Sequence, residues 1–194
     1  MSKLKVGFAM CGSFCTFAKV IPQMQVLVDA GYEVVPVMSP ISYSTDTRFG
    51  KAEDFRGQIE AICHNPIVHT IPQAEPFGPK KVVDAMIVAP CTGNTLGKLA
   101  NGITDTPVTL AVKSTLRNER PILIAVSTND ALSGSAANIG TLLNRKHFYF
   151  VPMRQDDFLK KPTSIVADFT QILPAFEQAL LGKQIQPILV RDDA

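Results

Sequence analysis

The chain has no run of about twenty apolar residues, so no helical membrane span is expected. The apolar run in its opening MSKLKVGFAMCG is too short for a signal peptide, and a cytoplasmic protein is the expectation. Charge of one sign is also missing: 19 Lys and Arg face 17 Asp and Glu, a net charge of +2. That balance argues against nucleic acid or a membrane surface as the partner. The four cysteines, Cys11, Cys15, Cys63 and Cys91, form no small disulfide framework, and no His or Cys cluster completes a zinc site. Reduced thiols are expected. GxGxxG and Walker phosphate loops are absent, as are internal repeats, low-complexity segments and long linkers. The 194 residues read as one domain over 1–182, followed by a tail over 183–194.

What is present is organised around Val82 to Leu110. Ala85-Met86-Ile87-Val88-Ala89 is an unbroken apolar run, as in a strand buried on both faces of a parallel sheet. Pro90 is expected to stop it, having no N–H for a ladder. Cys91-Thr92-Gly93-Asn94-Thr95 then turns into a helix, whose first N–H groups and dipole favour an anion. Lys5 to Met10 predicts the first strand, leading through Gly12, Ser13 and Thr16 into a helix that runs to Ala30 and is disturbed at Pro22. Tyr32 to Met38 predicts the second strand, ending at Ser39-Pro40, and Ser42 to Gly50 a flexible loop. Lys51 to Cys63 has helical spacing, and Ile67 to Ile71 reads as a short strand. Pro72, Pro76, Gly78 and Pro79 argue against helix before Lys80.

Asp105-Thr106-Pro107 predicts a capped helix start, and Pro121 to Val126 a buried strand followed by Ser127-Thr128-Asn129-Asp130. Ala136 to Leu143 reads as helix and His147 to Val151 as the last strand. Pro162 is expected to open a long final helix to Leu181, interrupted at Pro174. Alternating strands and helices imply an α/β fold, a three-layer α/β/α Rossmann-like domain with a mostly parallel sheet. Its polar turns would share one sheet edge, where such folds bind ligands.

The stretch from Ala89 to Asp105, APCTGNTLGKLANGITD, resembles the APxxANTxxKxAxGIxD signature of the homo-oligomeric flavin-containing cysteine decarboxylase family. The likeness runs from about Lys3 to Leu181 and implies a flavoprotein fold and FMN as cofactor. By position, Pro90, Cys91, Thr92, Gly93, Asn94 and Thr95 would wrap the flavin or its phosphate. Gly12, Ser13, Thr16 and Ser39 would hold the phosphate, and Ser127 and Thr128 would lie along the ring or ribityl chain. The whole sequence, including STNDALSGSAANIGTLLNRKHFYFVP, is most similar to a branch that serves as one component of a two-component synthase in spore-forming bacteria. That likeness implies a partner A subunit carrying NADP, a small dicarboxylate substrate, and dehydrogenation in the cytoplasm of a sporulating mother cell. It also implies a homo-oligomer, a trimer or a dodecamer. The alternatives are a non-catalytic scaffold that binds FMN or phosphate, and a flavin-dependent decarboxylase.

Departures from the family bear on mechanism. The catalytic histidine of the decarboxylases has no counterpart in Ser39 to Gly50, and their PxMNxxMW clamp is replaced by VSTNDAL, with Asn129 retained. No catalytic residue is assigned. Cys91 reads as a small buried filler. Lys98 reads as a surface lysine, and His64, His69 and His147 as structural. Arg48 is the basic residue best suited to a dicarboxylate, because a guanidinium binds carboxylates with two parallel hydrogen bonds.

Overall fold

The computed structural model describes residues 3–191. Its strands are β1 (Lys5–Met10), β2 (Glu33–Met38), β3 (Ala85–Cys91), β4 (Ile122–Thr128), β5 (Phe148–Phe150), β6 (Met153–Gln155) and β7 (Ile165–Ala167). They form a seven-stranded sheet in the order β2-β1-β3-β4-β7-β6, with β5 pairing the first half of β4. The pairs among β1 to β5 are parallel, whereas β7 runs antiparallel to the end of β4 and to β6. This is the expected α/β fold, with an antiparallel edge that was not expected.

The apolar runs are explained by burial on both sides. Along β3 and β4, Met86, Val88, Ile122, Ile124 and Val126 pack into one core, and Ala85, Ile87, Ala89, Leu123 and Ala125 into the other. The first core lies under α5 (Gly93–Asn101), α6 (Pro107–Leu116) and α7 (Ala136–Leu143). The second lies under α1 (Phe17–Asp29), α3 (Ala52–Cys63) and α8 (Ile172–Leu180). Period-two alternation thus sends successive side chains to opposite helical layers.

Several expectations are corrected, most of them at proline. Pro90 does not end β3: the Ala89–Pro90 peptide is cis, pairing with β4 shifts register between Val88 and Cys91, and the Pro90 carbonyl accepts from the Cys11 N–H at 3.3 Å. Pro22 stays inside α1, on its exposed side. Pro72 sits in the first turn of a short helix α4 (Ile71–Ala74), where its missing N–H costs nothing, and Thr70 and Gln73 cap that turn reciprocally. Ile67 to Ile71 is no strand; Val68 makes only an isolated bridge to Val37.

The segment 42–50 is not a loose loop either. It contains the end of α2 (Pro40–Ser44) and a tight turn closed by Thr47 and Gly50. Pro162 opens no helix; it lies in the hairpin between β6 and β7, and the last helix begins at Ile172. The described part of the tail, 183–191, folds back onto the sheet, and 192–194 lie outside the described residues. Gln184 bonds both backbone groups of Phe150 at 2.7 Å, and the residues at 188–190 pair with Met153.

The start of α6 shows how local chemistry fixes an element. The Thr106 hydroxyl accepts from the Thr109 N–H at 3.1 Å, and the Thr109 hydroxyl accepts from the Thr106 N–H at the same distance. Thr106→Ala should lower the unfolding free energy by about 1 kcal/mol, seen as an earlier urea midpoint, and Thr106→Ser should recover most of it.

Candidate functional site

The C-terminal ends of β1, β3 and β4 carry their polar turns to one side of the sheet, as the direction of parallel strands requires. A wide cleft of about 890 Å³ opens there. Its walls come from the β1–α1 turn (Gly12 to Thr16, with Lys19), the turn at Arg48 and Phe49, the β3–α5 turn (Thr92, Gly93, Asn94) and the end of β4 (Ser127 to Asp130). The β6–β7 hairpin closes one end with Asp156, Lys161 and Ser164.

The floor is tied together by hydroxyl groups. Ser13 and Ser127 share a hydrogen bond of 2.9 Å. Because β3 lies between β1 and β4, this bond passes over the end of β3. Pro90 and Cys91 are buried, Cys91 fully, and neither lines the cleft. Burial raises the Cys91 thiol well above its ordinary pKa, with Cys11 adding to the effect, so it serves as the expected filler. Thr95 is also turned inward, donating to the Cys11 sulfur at 3.2 Å. Burial pushes the Cys11 thiol up to about 11 against the opposing effect of that bond.

Of the residues singled out from the sequence, Gly12, Ser13, Thr16, Thr92, Gly93, Asn94, Ser127 and Thr128 line this one cleft. Ser39 does not. Its hydroxyl caps α2, accepting from the Ser42 N–H at 3.4 Å and bonding the Ser42 hydroxyl at 2.8 Å. Lys98 faces away and pairs with Asp105 at 2.8 Å.

Asp130 is the main residue whose role was not read from the sequence. Thr128 donates to its carboxylate at 2.6 Å and Ser135 at 2.9 and 3.0 Å. The bond from Thr128, helped by those from Ser135, holds the Asp130 carboxyl below the usual carboxylate range against a desolvation cost. Gly93 makes room for this cluster at the start of α5. A Cβ there would lie 2.6 Å from the Ser135 Oγ, 2.7 Å from the Asp130 Oδ1 and 2.9 Å from the Thr128 Oγ1. The signature's alanine would therefore collide, and the sequence has glycine.

Two chemical consequences follow. The positive end of α5 already has a carboxylate beside it, which leaves the β1–α1 turn as the less negative of the two helix starts at the cleft. Thr128 has its proton committed to Asp130, so it faces the cleft as a hydrogen-bond acceptor. The hairpin adds an ion pair, Lys161 to Asp156 at 2.9 Å. This bond is the first cause of the raised Lys161 pKa and of the lowered Asp156 pKa. Reading the segment after Val151 as the approach to a helix hid these hairpin residues. The charge run DDFLKK closed by a proline was the available signal.

An FMN-sized ligand fits these residues. The cleft lies within the roughly 300–1,000 Å³ common for such ligands. Its serine, threonine and asparagine side chains supply the donors that a phosphate and a ribityl chain need. Gly12 lets the β1–α1 turn pack closely against α2, since a Cβ there would come within 3.1 Å of the Ile41 side chain.

Gly93→Ala should destabilise the fold by about 1–3 kcal/mol in urea unfolding, and adding Asp130→Ala should cost less than the sum of the two changes. The stability that Asp130 supplies is complete above about pH 4 and is lost as the pH falls through its depressed native pKa. The stability gap between wild type and Asp130→Asn should therefore close on acidification, as followed by urea titrations at successive pH values.

Comparison with known proteins agrees with this arrangement. The family model described as Flavoprotein matches residues 1–164. The B subunit of dipicolinate synthase from Bacillus subtilis (strain 168) is 44% identical over 195 residues, covering 99% of this chain and 98% of that protein. The crystal structure of the dipicolinate synthase B subunit from Bacillus halodurans C superposes with a TM-score of 0.90 at 42% identity, covering 98% of this chain and 99% of that one. The FMN-dependent cysteine decarboxylase SpaF shares the fold at a TM-score of 0.66 and 23% identity, over 91% of this chain and 97% of its own. With the sheet, the cleft at its carboxyl edge and a family match over most of its length, this chain belongs to the flavoprotein family.

Proposed function

We propose that this chain is the B-type component of a dipicolinate-forming synthase. In this reading it works with an A subunit, itself NADP-dependent, in the cytoplasm of a sporulating mother cell. The reaction is dehydrogenation of a dihydrodipicolinate-type intermediate, in which the ring loses a hydride and a proton to become aromatic. The observation that carries this reading is the 44% identity to a dipicolinate synthase B subunit over 99% of the chain. A homo-oligomer, a trimer or a dodecamer built from trimers, belongs to the same reading.

Side chains cannot accept a hydride; FMN in the cleft would supply that acceptor. The chain's own residues do the rest. The β1–α1 turn, with Ser13 and Thr16, seats the phosphate, and Thr92, Asn94 and Ser127 hold the ribityl chain and ring. Thr128, fixed by Asp130, accepts from a ring N–H. Cysteine decarboxylation is disfavoured, because Ser39 to Gly50 contains no histidine.

A second reading is supported by the Asp130 carboxylate beside α5 and the missing histidine. Here the cleft binds FMN or phosphate without doing chemistry, and the chain completes its partner as a scaffold.

Titration with FMN should give saturable binding near micromolar, about −8 kcal/mol, with a shifted flavin absorbance band. Ser13→Ala and Asn94→Ala should each weaken it about tenfold, the loss of one good hydrogen bond to a charged or amide group. Substrate added without oxygen to the full complex should then bleach bound FMN. Full synthase activity in a complex of the Ser13→Ala/Asn94→Ala double variant, assayed with no FMN added and none bound, would select the scaffold reading.

A further inference from the structure

The cleft holds cations that its own structure does not neutralise. Lys161 is paired with Asp156, and Asp130 is satisfied by Thr128 and Ser135. Lys19 and Arg48 also line the cleft, and neither forms an ion pair among the described residues. Arg48 follows β2 and Lys19 lies in the first turns of α1, after β1, whereas Asp130 follows β4.

Arg48 is presented by a device rather than by a loose loop. Thr47 and Gly50 exchange two backbone bonds of 3.0 and 3.1 Å, closing a turn with Arg48 and Phe49 at its tip. The Thr47 hydroxyl accepts from the Phe49 N–H at 3.1 Å. On either side the turn is anchored. The Asp46 carboxylate accepts from the Ala52 N–H at the start of α3, at 2.8 Å. Gly50, at φ +149, lies against Phe55, where a Cβ would come within 2.7 Å of the ring. Phe55 in turn meets Phe17 edge to face at 5.1 Å, and Phe17 contacts Phe14 on the cleft wall at 5.1 Å. The turn is thus packed onto the start of α1. At its tip the Arg48 guanidinium lies 4.9 Å from the Phe49 ring centre, which orients the fork without using any of its hydrogen bonds.

From this geometry we infer that Arg48, backed by Phe49 and Lys19, is the carboxylate anchor of the cleft, specific for a planar ring bearing two carboxylates. The substrate class rests on the proposed function; the anchor rests on the unpaired cations and the built turn. Arg48 takes one carboxylate through two parallel N–H···O bonds, the geometry a guanidinium matches best. Lys19 supplies a second positive charge without directional demand, and Phe49 offers a flat apolar face to the ring. Arg48 and Lys19 are not among the residues proposed to hold the flavin, so FMN and the dicarboxylate occupy different parts of one cleft. Arg48 then fixes which way the ring lies relative to the cofactor.

The test is calorimetric titration of pyridine-2,6-dicarboxylate into the full chain, with and without saturating FMN, together with FMN titration of each variant. Arg48→Gln should weaken the dicarboxylate about tenfold or more, the usual scale for a lost charge-assisted pair, and leave FMN affinity unchanged. Arg48→Lys should recover only part, Lys19→Gln should cause a smaller loss, and pyridine-2-carboxylate should bind more weakly than the diacid. Arg48 is exposed, so an unchanged melting temperature is expected for the variant. The anchor is overturned if wild type fails to bind the dicarboxylate, or if Arg48→Gln binds it as wild type does. A loss of FMN affinity in Arg48→Gln with dicarboxylate binding intact would also overturn it, making the arginine a phosphate clamp. If no variant binds FMN and Arg48→Gln still loses the dicarboxylate, the flavin reading falls and the anchor stands.

Discussion

Everything at the cleft depends on the parallel pairing of β1, β3 and β4. Each of these strands is buried on both faces, so its register is fixed by two helical layers at once. Because they run the same way, their last residues arrive together, and the chain must turn there with small polar side chains. The Ser13–Ser127 bond over the end of β3 is the direct product of that alignment. Slipping any of these strands by one residue would send each side chain to the opposite helical layer and separate the two hydroxyls.

The Asp130 cluster is the second layer of this organisation. Hydroxyls of Thr128 and Ser135 hold a carboxylate against the opening of α5, and Gly93 leaves room for it. Two helix starts face the cleft with opposite surroundings as a result. That of α5 stands beside a negative charge, whereas that of α1 is flanked by Ser13, Thr16 and Lys19. A bound anion is sorted toward one end of the cleft by electrostatics alone.

Much of the fold was legible because burial leaves a periodic trace. The runs at Lys5, Ala85 and Pro121, and the Thr106-Pro107 cap, specify their elements with nearest neighbours alone. Two misreadings share a cause: proline was read as a breaker where its position in the first turn makes it a starter. Pro72 is such a case, and Pro174 is tolerated as the third residue of α8 for the same reason. The hairpin at Met153–Gln155 and Ile165–Ala167 is held by β4 and by the tail, contacts too distant in sequence for a local pattern to record. At the site, the converging turns were visible from residue type. The inward rotation of Ser39 and Thr95, and the role of Asp130, depend on partners that only the folded chain brings near.

The segment at 184–190 gives the molecule a mechanical property. Met153 bonds Ile188 and Val190 through its own N–H and C=O, and Met153 opens the strand that leads into the hairpin wall of the cleft. A pull on residues 188–190 is delivered to that wall before it reaches the central sheet. The hairpin wall of the cleft is thus a strap fastened along both edges, to β4 on one side and to residues 188–190 on the other.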